Sequence, residues 1–169
     1  MIIFVYLLII FVVVVLAKKV RFLNVSGSIA AFFVGTCIAL GLEYKGLLLL
    51  GAFFLTSSLL SKYKKSQKNA MEEKIAKGSE RDGFQVLANG GAASMASILY
   101  IATNDALWIY LFAILIASSN SDTWASEIGS LSKKKPLSIK NFCLAETGTS
   151  GAVSLLGTVA AICGSFLLH

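Results

Sequence analysis

Residues 106–136 read ALWIYLFAILIASSNSDTWASEIGSLSKKKP. The first twelve residues are continuously apolar, and they lead directly into a segment with several hydroxyls, an amide and two carboxylates. A charged side chain at the centre of a membrane helix costs about 2.5–3.5 kcal/mol on insertion scales. Such groups persist in a membrane protein where they function or are paired. The segment 118–136 is therefore the first candidate for a functional site.

The composition predicts an integral membrane protein. Of the 169 residues, 56% are hydrophobic and 14% are charged, whereas soluble domains contain about 25% charged residues. The apolar segments are continuous and lack the alternation of barrel strands, so they predict helices. We expect a single all-α domain, 1–169, that forms a polytopic bundle of about six transmembrane helices. The predicted spans are 2–17, 25–42, 46–60, 86–103, 106–120 and 148–168.

The distribution of positive charge predicts the orientation of the bundle. If six spans start outside, three loops lie on the opposite side, and they contain fourteen of the fifteen basic residues, all except Lys45. The positive-inside rule then places the N-terminus outside and the main polar loops in the cytoplasm of a cell membrane. The polar zones 61–89 and 120–149 would share that face. We accordingly interpret the net charge of +6 as topology and lipid contact, with no nucleic acid as partner.

The carboxylates of the second polar zone are the strongest candidates for chemistry. A helix over 118–128 would align Asn120, Thr123 and Glu127 on one stripe, beside a stripe that contains Asp122 and Ser126. Hard oxygen ligands suit Mg²⁺, whose shell is completed by water and phosphate oxygens. Asp122 and Glu127 are thus the predicted catalytic and metal-binding residues, although an ideal helix separates them by about 140°. Asn120, Thr123 and Ser126 are predicted to contact the substrate or the nucleotide. Alternatively, these polar groups tie helices together or pair with lysines at the interface.

The first polar zone offers groups that recognise a nucleotide or a phosphate. Arg81 precedes Asp82, Gln85 and Asn89, which would line one face of a helix that starts near Glu80. Amides at a helix entry can hydrogen-bond a base, a sugar or a phosphate. The alternative is an ordinary helix cap with polar interfacial residues.

Two further groups of residues are candidates for binding anions. Lys133, Lys134 and Lys135 could contact phosphates as point charges, although anchoring at the interface explains them equally well. Thr149 and Ser150 open the sixth predicted span, where hydroxyls and free backbone amides favour an anion. The sole histidine, His169, and the absence of a Cys-x-x-Cys motif argue against zinc. Walker A and nucleophile-elbow patterns are absent.

This inventory favours phosphoryl transfer, where catalysis consists of positioning and electrostatic stabilisation. A site at the bilayer surface would take a lipid-like acceptor. Two other interpretations stay open, namely a transporter or carrier of a phosphorylated lipid or ion, and a non-catalytic membrane assembly subunit. Polar residues here lie at the ends of spans, whereas transporters place them at the middle of the membrane in broken helices.

Three motifs resemble one family of integral membrane proteins. They read RDGFQVLANGG at 81–91, SDTWASEIG at 121–129 and GTSG at 148–151, and the likeness extends over 27–158. The family includes the plant phytyl-phosphate kinase of vitamin E biosynthesis and the eukaryotic transmembrane protein 19. The resemblance implies a kinase that transfers a phosphoryl group from a nucleoside triphosphate, CTP or another, to a phytyl or prenyl monophosphate.

The resemblance leads to an expected arrangement of the site. Asp122 and Glu127 would hold Mg²⁺ with the donor triphosphate, and Arg81, Asn89 and the run 133–135 would contact phosphates. Groups of small residues in the second, fourth and sixth spans would leave a groove for the prenyl chain. Members of the family usually continue with further hydrophobic segments after the GTSG turn, whereas this sequence ends eighteen residues after Gly151. A homodimer is one arrangement that would complete the site.

Overall fold

A computed structural model describes residues 2–68, 80–140, 142–146, 149 and 151–167, with the backbone alone at 64–68. Within these residues the chain is mostly helical, as predicted, and contains one short β-hairpin. The helices are α1 (Ile2–Lys19), α2 (Val25–Lys68), α3 (Gly83–Thr103), α4 (Leu107–Gly129) and α5 (Leu155–Phe166); the strands are β1 (Leu137–Ser138) and β2 (Ala152–Val153).

The helix α2 is a helical hairpin that reverses at Glu43. This residue has a non-helical backbone, with φ 51° and ψ −140°, within the predicted turn 43–45. The ring of Phe22 lies 6.2 Å from the ring of Phe54, and the ammonium of Lys62 lies 5.4 Å from the Phe22 ring centroid. An unbroken helix would separate residues 22 and 62 by about 60 Å at 1.5 Å per residue. We therefore call 25–42 the first arm of α2 and 44–68 its second arm.

Three helices of the described residues are long and apolar enough to cross a membrane: Ile2–Lys19, Val25–Tyr63 and Gly83–Thr103. The last helix, α5, is apolar but has only 12 residues. Large apolar side chains are exposed on the outside of the bundle, for example Phe84, Leu155 and Phe4. Such a surface is typical of a protein in contact with lipid. That the protein has six spans, and that its N-terminus lies outside, remain predictions.

The bundle packs around a core shared by α2, α3 and α4. Its buried residues are Val34, Ile38, Phe53, Ala93, Ala96, Phe112 and Ile116. Small residues allow close approach: a Cβ at Gly41 would collide with the backbone carbonyl and the hydroxyl of Ser97. The Ser97 hydroxyl, which is fully buried, donates to the carbonyl oxygens of Cys37 and Ile38 at 3.2 and 3.3 Å. Packing and interhelical hydrogen bonds therefore join the first arm of α2 to α3.

Two elements differ from the sequence-based expectation. The helix expected over 148–168 starts only at Leu155, because Ala152 and Val153 pair with β1 and the Ser154 hydroxyl then accepts from the Gly157 amide as an N-cap. The helix of the fifth span is longer than 106–120 and continues through the polar motif to Gly129. The motif is thus helical, as expected from 118 to 128.

Candidate functional site

The two connections 20–24 and 80–82 lie side by side at one end of the bundle. The amide of Arg81 donates to the Phe22 carbonyl at 2.9 Å, and the amide of Asn24 donates to the Arg81 carbonyl at 3.1 Å. Leu23 and Arg81 form a parallel bridge. A Cβ at Gly27 would collide with the Arg81 carbonyl oxygen, so the absence of a side chain at this position lets the backbone of Arg81 approach the first turn of α2.

The side chain of Arg81 places a half-buried positive charge at this end. Its guanidinium lies 5.7 Å from the centroid of the Phe53 ring, which positions it by a cation–π contact. Burial lowers the pKa of Arg81, and the negative charge of Glu127 opposes that shift. Arginine remains charged in proteins. The site therefore contains a cation that has lost part of its hydration and favours an anionic partner.

Glu127 brings the second predicted zone to the same end of the bundle. Its carboxylate accepts a hydrogen bond of 2.6 Å from the hydroxyl of Ser61, on the second arm of α2. Glu127 is half-buried, and its charge acts on Arg81. The structure thus brings together Arg81 and Glu127 from the two zones. Sequence reasoning missed Ser61, although a hydroxyl at the end of an apolar span was a signal for it.

An apolar cavity of about 160 Å³ reaches the same end of the bundle. It is bounded by α1, by both arms of α2 and by the start of α3, with Ile10, Val14, Val34 and Leu50 among its lining residues. Arg81 and Asn89 supply charged and amide groups to its wall. The expected groove involved the second, fourth and sixth spans; the cavity observed here involves α1 and the second arm of α2 instead of α5.

Asp122 lies apart from this assembly. It is exposed, as are Ser118 and Ser126 on the same face of α4, whereas Glu127 points toward α2. Among the described residues, no three His, Cys, Asp or Glu side chains are grouped so that they could hold a metal ion. Asp122 and Glu127 lie on different faces of α4, as their separation around an ideal helix predicts, and metal binding by the two together stays a prediction.

Asn120 and Thr123 make structural contacts within the bundle. Asn120 is fully buried, and its side-chain amide donates to the Gly164 carbonyl of α5 at 2.6 Å. Its carbonyl oxygen accepts from Thr56 and Ser57 on the second arm of α2, at 3.4 Å each. The Thr123 hydroxyl donates to the Ser119 carbonyl at 2.9 Å. The contacts of Asn120 correspond to the alternative in which polar groups tie helices together, whereas the bond of Thr123 lies within α4.

The residues predicted around the start of α3 divide between capping and the cavity. Asp82 is the N-cap of α3: its carboxylate accepts from the Gln85 amide at 2.9 Å, and the Gln85 side chain accepts from the Asp82 amide at 3.3 Å. This capping box starts the helix at Gly83. Asn89 lines the apolar cavity, and its carbonyl accepts from the Ser119 hydroxyl at 2.8 Å.

The remaining predicted residues lie after α4. Lys133, Lys134 and Lys135 are exposed in the connection between α4 and β1, and Thr149 is exposed. Ser150 lies outside the described residues. The predicted roles of Lys133 to Lys135 and of Thr149 rest on the sequence.

Comparison with known proteins identifies relatives in archaea and plants. The chain is 37% identical over 169 residues to an uncharacterized membrane protein of Methanocaldococcus jannaschii, covering 98% of this chain and 68% of that protein. It is 35% identical over 159 residues to Protein PGR of Arabidopsis thaliana, with 85% and 54% covered. It is 32% identical over 151 residues to the chloroplastic Protein VTE6 of the same plant, with 86% and 45% covered.

These matches bear on the membrane assignment and the family. The chain spans about half the length of the two plant relatives. No solved structure matches the chain. The family model described as integral membrane protein DUF92 matches residues 8–169, which confirms the family predicted from the three motifs. The chain is therefore a membrane-embedded protein that belongs to the DUF92 family of integral membrane proteins.

Proposed function

We propose that this protein is a membrane-embedded kinase that transfers a phosphoryl group from a nucleoside triphosphate to a prenyl monophosphate, giving the diphosphate. The observation that supports it best is the position of Arg81. This cation lies at the junction of an apolar cavity and a polar end that contains Glu127. A molecule with an apolar chain and a terminal phosphate matches both parts. The similarity to VTE6 and the resemblance of the motifs to the phytyl-phosphate kinase family support the same class of substrate.

The transfer is a displacement at phosphorus. A terminal oxygen of the prenyl monophosphate attacks the γ-phosphorus of the donor, the bond to the β-phosphate oxygen breaks, and a nucleoside diphosphate leaves with that electron pair. Arg81 would orient the acceptor phosphate and offset charge that accumulates in the transition state. Asn89, on the cavity wall, would hydrogen-bond the phosphate next to the prenyl chain.

Magnesium fits the donor chemistry of the site. Mg²⁺ is bound in proteins through one or two carboxylates together with phosphate oxygens and water, so the single carboxylate of Glu127 satisfies the requirement once the donor is present. When bound, the ion would neutralise charge on the triphosphate. Lys133, Lys134, Lys135, Thr149 and Ser150 would contact the donor from the connection that follows α4. The protein would lie in the cell membrane, with the site facing the cytoplasm.

A second candidate, a subunit of a membrane assembly, is favoured by one observation. Ser118, Asp122 and Ser126 form an exposed polar face on α4, and a carboxylate facing lipid is unfavourable. A second copy of this chain that covered the face would make Asp122 part of a shared site. Recovery of the protein with a partner but without nucleotide turnover would favour this candidate over the kinase.

The kinase is tested by turnover in proteoliposomes. Purified protein is incubated with labelled prenyl monophosphate, Mg²⁺ and each nucleoside triphosphate in turn, and diphosphate formation is measured. We expect Arg81→Gln and Glu127→Gln to abolish the product, because these two groups would act on the phosphates and on the ion. The matched control is Asp105→Asn at the start of α4, where Asp105 accepts from the Leu107 amide at 2.9 Å and asparagine caps equally well. Wild-type rates in both site variants would refute the assignment.

A further inference from the structure

A small polar pocket adjoins the apolar cavity and shares Arg81 with it. Its lining residues come from the connection after α1, from the second arm of α2 and from the connection before α3: Arg21, Phe22, Ser58, Ser61, Lys62 and Arg81. Of these six residues, only Arg81 belongs to the motifs singled out in the sequence. The pocket lies beside Glu127, because Ser61 in its wall donates to that carboxylate.

Ser58 has a hydroxyl that the fold leaves without a partner. Its side chain is 4% exposed, and its oxygen has no hydrogen-bond partner among the described residues. Hydroxyls in apolar helices usually donate to the carbonyl four residues earlier, as Thr36 does to Phe32 and Thr103 does to Leu99. Ser58 is an exception to this rule, and it lines the pocket. A buried hydroxyl without a hydrogen-bond partner destabilises the fold. A ligand that accepted a hydrogen bond from Ser58 would offset that cost.

Three cations surround the same pocket. Arg21 follows α1 with a left-handed backbone, φ 61°, and it lines the pocket with Lys62 and Arg81. The ring of Phe22 lies 5.4 Å below the ammonium of Lys62, as the ring of Phe53 lies 5.7 Å from Arg81. These aromatic contacts restrict the cations at the pocket. A hydroxyl and three positive charges around one opening are a donor set for a phosphate.

The size of the pocket limits how a phosphate enters it. Its volume is about 10 Å³, which is the space of about one water molecule. One terminal phosphate oxygen fits there and accepts from Ser58, while the other oxygens remain outside. Arg21 and Lys62 are exposed, so they can reach those outer oxygens. The apolar cavity on the other side of Arg81 is then available for the chain esterified to the phosphate.

We propose that Ser58, Arg21 and Lys62 form, with Arg81, the subsite that holds the monophosphate of an amphiphile whose chain occupies the apolar cavity. Its assignment as the acceptor subsite rests on the proposed kinase. The binding of a phosphate monoester at these residues does not depend on turnover. The three residues act on the phosphate directly and contribute to specificity for a phosphate over an alcohol at the end of the chain.

The subsite is tested by equilibrium binding of farnesyl monophosphate to the full chain in phosphatidylcholine nanodiscs. We expect Ser58→Ala to weaken binding about tenfold, the loss of one hydrogen bond to a charged group. The same variant should melt at an unchanged or higher temperature without ligand, because it removes a hydroxyl that has no partner. Arg21→Gln and Lys62→Gln should each weaken binding about tenfold or more.

Two variants and three ligands serve as controls. Ser57→Ala removes a neighbouring buried hydroxyl that donates to Asn120, so it should lower the melting temperature and leave the affinity unchanged. Lys45→Gln, at the turn of the α2 hairpin, should change neither. Farnesol should bind at least tenfold more weakly than farnesyl monophosphate. Inorganic phosphate should compete with farnesyl monophosphate for the subsite. Phosphatidic acid, a membrane source of the same headgroup, should compete less well because it has two chains.

The outcomes separate this subsite from the kinase. Unchanged affinity in all three variants, equal binding of farnesol, or no binding of farnesyl monophosphate would each overturn the subsite. Phosphatidic acid that competed as well as farnesyl monophosphate would overturn its assignment to a prenyl acceptor, because a membrane lipid would then occupy it. If the protein forms diphosphate while the three variants bind farnesyl monophosphate with unchanged affinity, the kinase is supported and the subsite is refuted. Weakened binding in the variants, with no diphosphate from any nucleotide, would support the subsite and refute the kinase.

Discussion

Replacement of Gly27 by alanine should displace the backbone of Arg81. It should thereby lower both the stability of the fold and the affinity of the site, although it changes no residue of the site. A Cβ at position 27 would overlap the carbonyl oxygen of Arg81 and approach its carbonyl carbon at 3.1 Å. Both obstacles are backbone atoms, so a side-chain rotation does not relieve the collision. The connection 80–82 would have to move away from the first turn of α2.

The magnitude follows from three contributions. Overpacking of this kind costs about 1–3 kcal/mol. Displacement of Arg81 also weakens the two hydrogen bonds that join it to Phe22 and Asn24, at about 1 kcal/mol for each bond that is lost. Alanine is favoured over glycine within a helix by about 1 kcal/mol, which offsets part of the loss. We expect a net destabilisation of about 2 kcal/mol, which corresponds to about 4–8 °C in melting temperature for a chain of this size.

Thermal unfolding in detergent, followed by far-ultraviolet circular dichroism, measures the effect. The control is Gly51→Ala on the second arm of the same helix, where a Cβ would meet nothing within 4 Å; its melting temperature should stay the same or rise. Farnesyl monophosphate should also bind more weakly to Gly27→Ala. A melting temperature for Gly27→Ala equal to that of Gly51→Ala would refute the close approach between the two connections.

Two further predictions concern the buried amide and the cavity. Asn120→Leu should destabilise the fold by about 1–2 kcal/mol, since interhelical hydrogen bonds in membranes contribute about 0.6 kcal/mol on average and up to about 1.7, and it removes the contacts to Gly164 and Ser57. Asn120→Asp should destabilise the fold more than Asn120→Leu at neutral pH and less in acid, because it buries a carboxylate opposite the Gly164 carbonyl. A melting temperature of Asn120→Asp equal to that of the wild type at neutral pH would contradict the buried position. Gly51→Trp should fill the apolar cavity and weaken farnesyl monophosphate binding at least tenfold, whereas the exposed Leu48→Trp should not; equal binding to both would place the chain elsewhere.

Much of the fold was predictable because apolar length and polar breaks are local properties. The turn at 43–45 coincides with the reversal at Glu43, and the polar motif continues the helix to Gly129. The start of α5 was not predictable in the same way. The apolar pattern continues through 152–153, yet these residues pair with β1, and that pairing depends on where a distant segment of the chain lies.

The candidate site shows the same division. Sequence reasoning found Arg81 and Glu127 and expected their zones to share one face. The sequence also suggested, as an alternative, that Asp82 and Gln85 cap a helix, and the observed capping box supports that alternative. It did not find Ser58 or Arg21, because a serine among many in an apolar span and a basic residue after a first span have ordinary explanations. Their significance depends on which groups remain unpartnered after packing.

The sequence by itself determined the membrane class, the family and the helical nature of the motif from 118 to 128, because hydropathy and motif residues are properties of consecutive positions. Only the tertiary structure decided which polar groups of that motif meet. Asp122 and Glu127 are separated by the geometry of one helix, so Asp122 is exposed while Glu127 accepts from Ser61 near Arg81. The hairpin in α2 returns the second arm to the end of α1, and that reversal places Ser58, Lys62 and Arg21 around one pocket.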